Sequence, residues 1–204
     1  MGVTWGELKE RADKYNQLAL KDPTPLAHFV SSQMLISSFE HEKAVAKAEL
    51  AIAHDPSDAD SYIAMAYTLI YAGRPEEALD YIKKAMRLNP HYPAFYIFVL
   101  GLAHFGLDRF EDASAHFERA LNRNPENYIP LIPLAAAYAH LNRDRDAAIT
   151  IEKLKKTLPA ITLSFVNACP LWKYKNPKDK SRLLTGLKNA GLAKSIYETL
   201  RKAG

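Results

Sequence analysis

The side chains that could do chemistry here are seven histidines, at 28, 41, 54, 91, 104, 116 and 140, a single cysteine, Cys169, and a few paired acids. A zinc site would need an H-E-x-x-H pattern or Cys/His pairs at ligand spacing, and neither occurs. His104 and His140 could approach one another across neighbouring helices, but two ligands are too few for a metal. There is no glycine-rich phosphate loop and no G-x-S-x-G elbow. A nucleophilic Cys169 would need a histidine close by in sequence, and none is; it reads as a partly buried structural thiol. One cysteine cannot close an internal disulfide, which fits a reducing cytoplasm. Glu76-Glu77 and Glu111-Asp112 open helical stretches, where carboxylates favour the positive helix end. No catalytic residue, metal or cofactor is expected, and the chain reads as a non-enzyme.

The elements that would position such groups are repeated. In Gly73–Pro90, GRPEEALDYIKKAMRLNP, the markers are Ala78, Ala85 and Pro90. Thirty-four residues earlier stand Ala44, Ala51 and Pro56; 35 later, Ala113, Ala120 and Pro125; a further 34 on, Ala147, Leu154 and Pro159. A period of this length with two helices per unit marks a solenoid of hairpins, each too small to bury its apolar face alone. Ala44, Ala78, Ala113 and Ala147 fall where the second helix crosses the first, so a larger residue there would overpack at a cost of about 1–3 kcal/mol. The prolines end each second helix.

These markers resemble the tetratricopeptide repeat (TPR) family over about residues 25–161. The family's first-helix pattern is met by Tyr62, Met65 and Ala66, by Ile97, Leu100 and Gly101, and by Leu131, Leu134, Ala135 and Tyr138. It is met poorly by His28, Ser31 and Ser32. The second-helix aromatic is kept as Phe117 and is Ala48, Ile82 and Ile151 elsewhere. The resemblance implies an all-α right-handed TPR solenoid, an α-α superhelix. It would form one domain over 1–204: an N-terminal helix within 1–24, repeats at 25–58, 59–92, 94–127 and 128–161, and a basic C-terminal helical cap over 162–204. Helices are expected near 4–20, 25–38, 41–54, 59–72, 75–88, 94–106, 109–122, 128–141 and 144–157. Thr24 should cap the first repeat with Pro25 following it. Asp108 with Glu111 should form a capping arrangement. The fourth repeat either begins at Pro130 or is kinked by Pro133. In the tail, helices are expected over 160–168, from Asn176 to Gly191, and over 194–202.

The resemblance also implies a concave surface lined by first helices. Carried onto this sequence, its partner-binding residues are Phe29, Ile63, Tyr67, Tyr71, Phe95, Phe98, Phe105, Ile129 and Ile132, with Gln33, Ile36, Ile70, Leu102 and Ala136 beside them. That groove is apolar and aromatic, and it lacks the Lys/Asn/Arg set that clamps a peptide carboxylate. An open apolar patch of this size would be an interaction site suited to an apolar or amphipathic helix. The alternatives are that these residues pack against adjacent helices, or that the chain's own tail covers them.

Charge is distributed unevenly. Residues 1–127 carry 13 basic against 18 acidic residues, a balance of −5; residues 128–161 stand at +2 and residues 162–204 at +7. Such asymmetry calls for an acidic partner or surface for the tail, unless Lys173, Lys175, Lys178, Lys180 and Arg182 only solvate the end of the array. Aromatics do not interleave with the bases, so no nucleic acid is expected. No apolar run is long enough for a membrane span. The N-terminus lacks a signal-peptide core, and Gly6 breaks a myristoylation pattern. These features point to the cytoplasm.

A second resemblance lies in Tyr174-Lys175-Asn176-Pro177 followed by Arg182-Leu183-Leu184, Gly186-Leu187-Lys188 and Ala190-Gly191-Leu192. It looks like the tail after the TPR array of many bacterial class III adenylate/guanylate cyclases, although Leu171-Trp172 intervenes after Pro170 and Asn189 replaces a basic residue. The reading is a non-catalytic protein–protein interaction module, the C-terminal regulatory or dimerising region of a larger bacterial signalling protein, with a protein or peptide ligand or a second copy in a homodimer as its partner. The alternative is a free-standing adaptor that binds an apolar or helical peptide in its groove.

Overall fold

The computed structural model describes residues 5–21 and 23–195, with side chains from residue 10 onward. Among these it is built of helices: α1 Trp5–Ala19, α2 Pro25–Ser37, α3 His41–His54, α4 Ala59–Tyr71, α5 Pro75–Leu88, α6 Ala94–Gly106, α7 Phe110–Arg123, α8 Leu131–His140, α9 Asp144–Thr157, α10 Leu163–Ala168 and α11 Pro177–Asn189. A single 3-10 turn, Pro170–Trp172, separates the last two. The helix expected over 194–202 falls mostly outside the described residues.

The array is four hairpins, α2/α3, α4/α5, α6/α7 and α8/α9, stacked so that each second helix also packs on the next first helix. First helices additionally touch one another, α2 with α4, α4 with α6, and α6 with α8. The periodic alanines do what their size allows: Ala44, Ala78 and Ala113 are completely buried, and Ala147 nearly so. In the third hairpin the close approach is tightest. A Cβ on Gly101 would come within 2.6 Å of the Phe117 ring. Gly101→Ala should therefore lower stability by about 1–3 kcal/mol through overpacking, read as a drop in the thermal unfolding midpoint. Phe117→Leu in the same chain should recover part of that loss.

The hairpin turns share one geometry. Phe39, Gly73, Asp108 and Asn142 all have positive φ, at 61°, 79°, 58° and 57°. After each, the backbone N–H of Glu40, Arg74, Arg109 and Arg143 donates back to Leu35, Leu69, His104 and Tyr138 at 2.8–3.0 Å. This is the left-handed helix termination that satisfies the last free carbonyls. It corrects the expected capping role of Asp108. That residue closes α6 in the left-handed conformation, Arg109 stands at the start of α7, and no side chain caps there. Thr24 does cap α2, accepting from Ala27 N at 3.2 Å with Pro25 in the first position. α8 begins at Leu131, so Pro133 sits in the first turn, where a missing N–H leaves no intrahelical bond unmade.

α1 is attached by polar contacts. Ser31 Oγ donates to Asn16 Oδ1 at 2.8 Å. The periodic apolar positions Ala12, Tyr15 and Ala19 face solvent. In the first hairpin the poor family match is made good by hydrogen bonding. Ser32 is fully buried, donates to Phe29 O at 2.7 Å and accepts from Thr68 Oγ1 at 3.3 Å.

Buried and half-buried histidines give the fold a pH dependence. His28, His41, His104 and His116 are all pushed below the usual histidine value, chiefly by burial, with Lys175 adding to the effect at His41. The folded chain keeps them neutral where the unfolded chain takes up protons. Stability is then whole above about pH 6.5 and declines as pH falls from there through the depressed folded values, by at most about 1.4 kcal/mol per pH unit for each ring. Denaturant unfolding at pH 7.5 and pH 5 should show a lower midpoint at pH 5. His41→Leu should flatten part of that slope.

Candidate partner-binding groove

The nine residues expected to line the groove lie on α2, α4, α6 and α8 and the turn before α8. Ile63, Tyr67, Tyr71, Phe98, Phe105 and Ile132 are buried, while Phe29, Phe95 and Ile129 remain half-buried at the rim. The aromatics form a connected row. Ring centroids are 6.5 Å apart for Phe29–Phe95, 5.9 Å for Tyr67–Phe95 and 4.7 Å for Tyr67–Tyr71.

The Tyr71 end of this row is covered by the chain's own tail. Tyr174 stacks on Tyr71 at 4.7 Å with ring planes 22° apart. Lys175 N donates to Tyr71 O at 2.8 Å. Trp172 is 2% exposed, and its turn packs on α2. From there α11 runs back across the array onto α8, which it meets nearly as extensively as α9 does. The contact is close because Gly186 permits it. A Cβ there would meet Ala136 Cβ at 2.7 Å and Ala136 Cα and O at 2.8 Å. Leu183 and Leu187 are buried on the same face. Tail residues thus touch all four hairpins, mostly at their turns.

The tail's cations meet acids and rings of the array. The Lys173 ammonium stands 5.2 Å from the centroid of the Phe39 ring. Lys175 pairs with Glu42, and Arg182 with Asp108. Arg182 Nη1 also donates to Asp179 at 2.7 Å, and the Arg182 carbonyl accepts from His140 Nε2 at 2.9 Å. For Lys175 and Arg182 the acidic surface expected for a basic tail is therefore the chain's own array. Lys178 remains exposed.

Burial sets the electrostatics of the groove floor. Tyr67 is pushed up to about 12 by loss of water, and Tyr71 and Tyr174 are raised further for the same first reason. These phenols stay neutral at any ordinary pH. Tyr71 Oη is buried between the Tyr67 and Tyr174 phenols, so the three hydroxyls form one enclosed cluster.

The remaining chemical candidates are scattered. His104 stacks on His116 at 5.2 Å and lies 3.6 Å from Asp112, while His140 stacks on Phe110 at 4.4 Å. The structure gives His104 and His140 these separate partners. Cys169 is part-buried. Among the described residues no three or more of His, Cys, Asp and Glu are arranged to hold a metal, and no helix is long and apolar enough to cross a membrane.

Sequence reasoning missed Trp172, Tyr174, Gly186 and the paired role of Lys175 and Arg182. The charge of +7 in residues 162–204 against −5 in residues 1–127 was the signal for the two cations; Trp172, Tyr174 and Gly186 gave none.

Comparison with known proteins places this architecture. Residues 59–92 and 94–127, the second and third hairpins, match the tetratricopeptide repeat family profile. PilW, a widely conserved type IV pilus biogenesis factor, aligns with TM-score 0.68 at 20% identity, covering 98% of this chain and 87% of that one. TTC0263, a thermophilic TPR protein of Thermus thermophilus, aligns with TM-score 0.65 at 21% identity over 90% and 92% of the two chains. YrrB, a TPR protein with an unusual peptide-binding site, aligns with TM-score 0.52 at 20% identity over 86% and 90%. No curated protein matches the sequence. The second and third hairpins thus match the tetratricopeptide repeat, and the array as a whole has the fold of tetratricopeptide-repeat solenoids.

Proposed function

We propose that this chain is a non-catalytic protein–protein interaction module, the C-terminal regulatory or dimerising region of a larger bacterial signalling protein such as a cytoplasmic nucleotide cyclase. The observation that supports the interaction reading is the groove itself. It seats a polypeptide segment by an aromatic stack, a backbone hydrogen bond to Tyr71 and ion pairs to Glu42 and Asp108. A peptide-recognition surface uses the same devices. YrrB, a structural neighbour, has a peptide-binding site by its own description. The cyclase context rests on the tail. The residues that resemble the cyclase-associated element are those that dock it here: Tyr174 on the groove floor, Asn176 capping α11 by accepting from Lys178 N at 3.0 Å, and Gly186 against Ala136.

Light scattering behind a sizing column, over a range of concentrations, tests the dimerising role. A dimer that dissociates on dilution supports it; a monomer throughout removes it and leaves the free-standing adaptor. Phe98→Asp is unsuitable as a surface probe, because Phe98 is buried beside Phe117 at 5.9 Å. Phe29→Asp and Phe95→Asp, at the half-buried rim, are the variants to compare.

A further inference from the structure

We infer that the groove is a receptor for aromatic, basic polypeptide segments, and that residues 169–190 are its resident ligand, held in competition with a partner protein segment of the same chemistry. This rests on the interaction reading above and names the ligand class for it.

Three observations carry it. First, the tail, although α11 packs on α8, also closes on itself. α10 packs chiefly on α11. The two arms are closed by Leu163 N to Ala193 O at 2.9 Å, Ser164 N to Lys194 O at 3.2 Å and Lys180 Nζ to Asn167 O at 2.8 Å. It joins the array through the short connection at 158–162 and otherwise lies upon it. A unit of that kind can leave the groove without unravelling itself.

Second, charge selects the occupant. The array through residue 127 is net acidic and the tail strongly basic. Their contacts are opposite-charge pairs at the hairpin turns, Lys175 with Glu42 and Arg182 with Asp108. An acidic segment placed there would face Glu42 and Asp108 with no counter-charge, so the groove rejects it.

Third, the seat is shaped for rings. Tyr71 offers a stacking face to Tyr174, Phe39 stands beneath the Lys173 ammonium, and Trp172 is almost wholly enclosed. A competitor must supply equivalent aromatic and cationic groups, because displacing the tail exposes those it already provides. The pattern is an aromatic residue two before a second aromatic, a lysine next, and an arginine two helical turns further on.

The test uses a fluorescent synthetic peptide of residues 169–190 with Cys169 replaced by serine. It is titrated into the native full chain, into Lys175→Glu/Arg182→Glu, and into Gly186→Leu as a second way of lifting the tail. Saturable binding to the lifted chains is expected, about 100-fold tighter than to the native chain, whose groove is only fractionally open. Binding should weaken with salt and disappear on adding Glu42→Lys/Asp108→Lys to the Gly186→Leu chain. Should both lifted chains misfold by circular dichroism, the native chain still decides. In Trp5→Phe, an excess of peptide bearing Phe at position 172 should move the chain's own Trp172 emission to the red. No binding to a folded lifted chain and no shift in the native one would show that the tail is a fixed part of the fold. Equal binding to Glu42→Lys/Asp108→Lys would place the ligand elsewhere, and either result overturns the inference. Self-association by light scattering reports on the interaction reading separately: a chain that dimerises but ignores the peptide loses this inference alone.

Discussion

Gly186→Ala lowers the unfolding midpoint, although alanine is the better helix former. On an unhindered helix the exchange should stabilise by up to about 1 kcal/mol. Here the new methyl would meet Ala136 Cβ at 2.7 Å and its backbone Cα and O at 2.8 Å. Backbone cannot rotate away, so α11 as a whole must shift, and Leu183 and Leu187 shift with it. A net loss of about 2 kcal/mol is expected, or a fall in midpoint of about 4–8 °C for a chain of this size. Gly186→Leu should go further and lift the helix. The reporter is built in, since the chain has two tryptophans, Trp5 and Trp172. In a Trp5→Phe background, the buried Trp172 should move from blue to red emission in Gly186→Leu while circular dichroism retains the array's helicity. Unchanged emission and midpoint in both variants would mean that α11 does not depend on this contact.

Much of the array was legible because its physics is local. Pro56, Pro90, Pro125 and Pro159 stop helices wherever they stand, and Ala44, Ala78, Ala113 and Ala147 mark crossings that admit only small side chains. Hence α2 to α7 and α9 lie close to where the spacing put them. The turns were less legible. All four adopt a left-handed residue, yet only Gly73 announces it, and Asn142 and Asp108 tolerate it; Phe39 is held there by the hairpin around it. Asp108, three residues before Glu111, therefore looked like a cap.

The row of first-helix aromatics was legible, and what covers one end of it was not. Which residues face inward follows from the repeat, so Tyr67, Tyr71 and Phe95 could be named. That Tyr174 lies on Tyr71 depends on a long-range return of the chain that no local period encodes. Composition held the one hint, a basic tail beside an acidic array, and the structure turns that imbalance into specific pairs. It also changes the kind of solenoid this is. A simple repeat array has only nearest-neighbour interfaces and can fray from its ends. Here one segment touches the first hairpin at Glu42, the second at Tyr71, the third at Asp108 and the fourth at Ala136. Its docking couples units that are not neighbours.

Arg182→Ala should uncouple them. The Arg182 side chain is 16% exposed and its guanidinium serves two carboxylates, Asp108 on the third hairpin and Asp179 on α11. Asp179 is itself buried, with 8% of its surface exposed. Truncating Arg182 strands that carboxylate without its cation. Removing one member of a fully buried pair costs about 3–5 kcal/mol; Asp108, being 61% exposed, is screened by water and contributes less. A loss of about 2–3 kcal/mol is therefore expected, with the larger share from Asp179. Two companions separate the causes. Arg182→Ala/Asp179→Asn removes the stranded charge and should recover much of the loss. Lys175→Ala, whose pair with Glu42 is open to solvent, should cost little. The shape of the transition carries the coupling argument. Native chain should unfold in one step by circular dichroism and by Trp172 emission. In Arg182→Ala the emission change should come first, at lower denaturant than the loss of helix, as the tail leaves an array that is still folded. Coincident transitions in the variant would instead mean that the tail and the array stand or fall together.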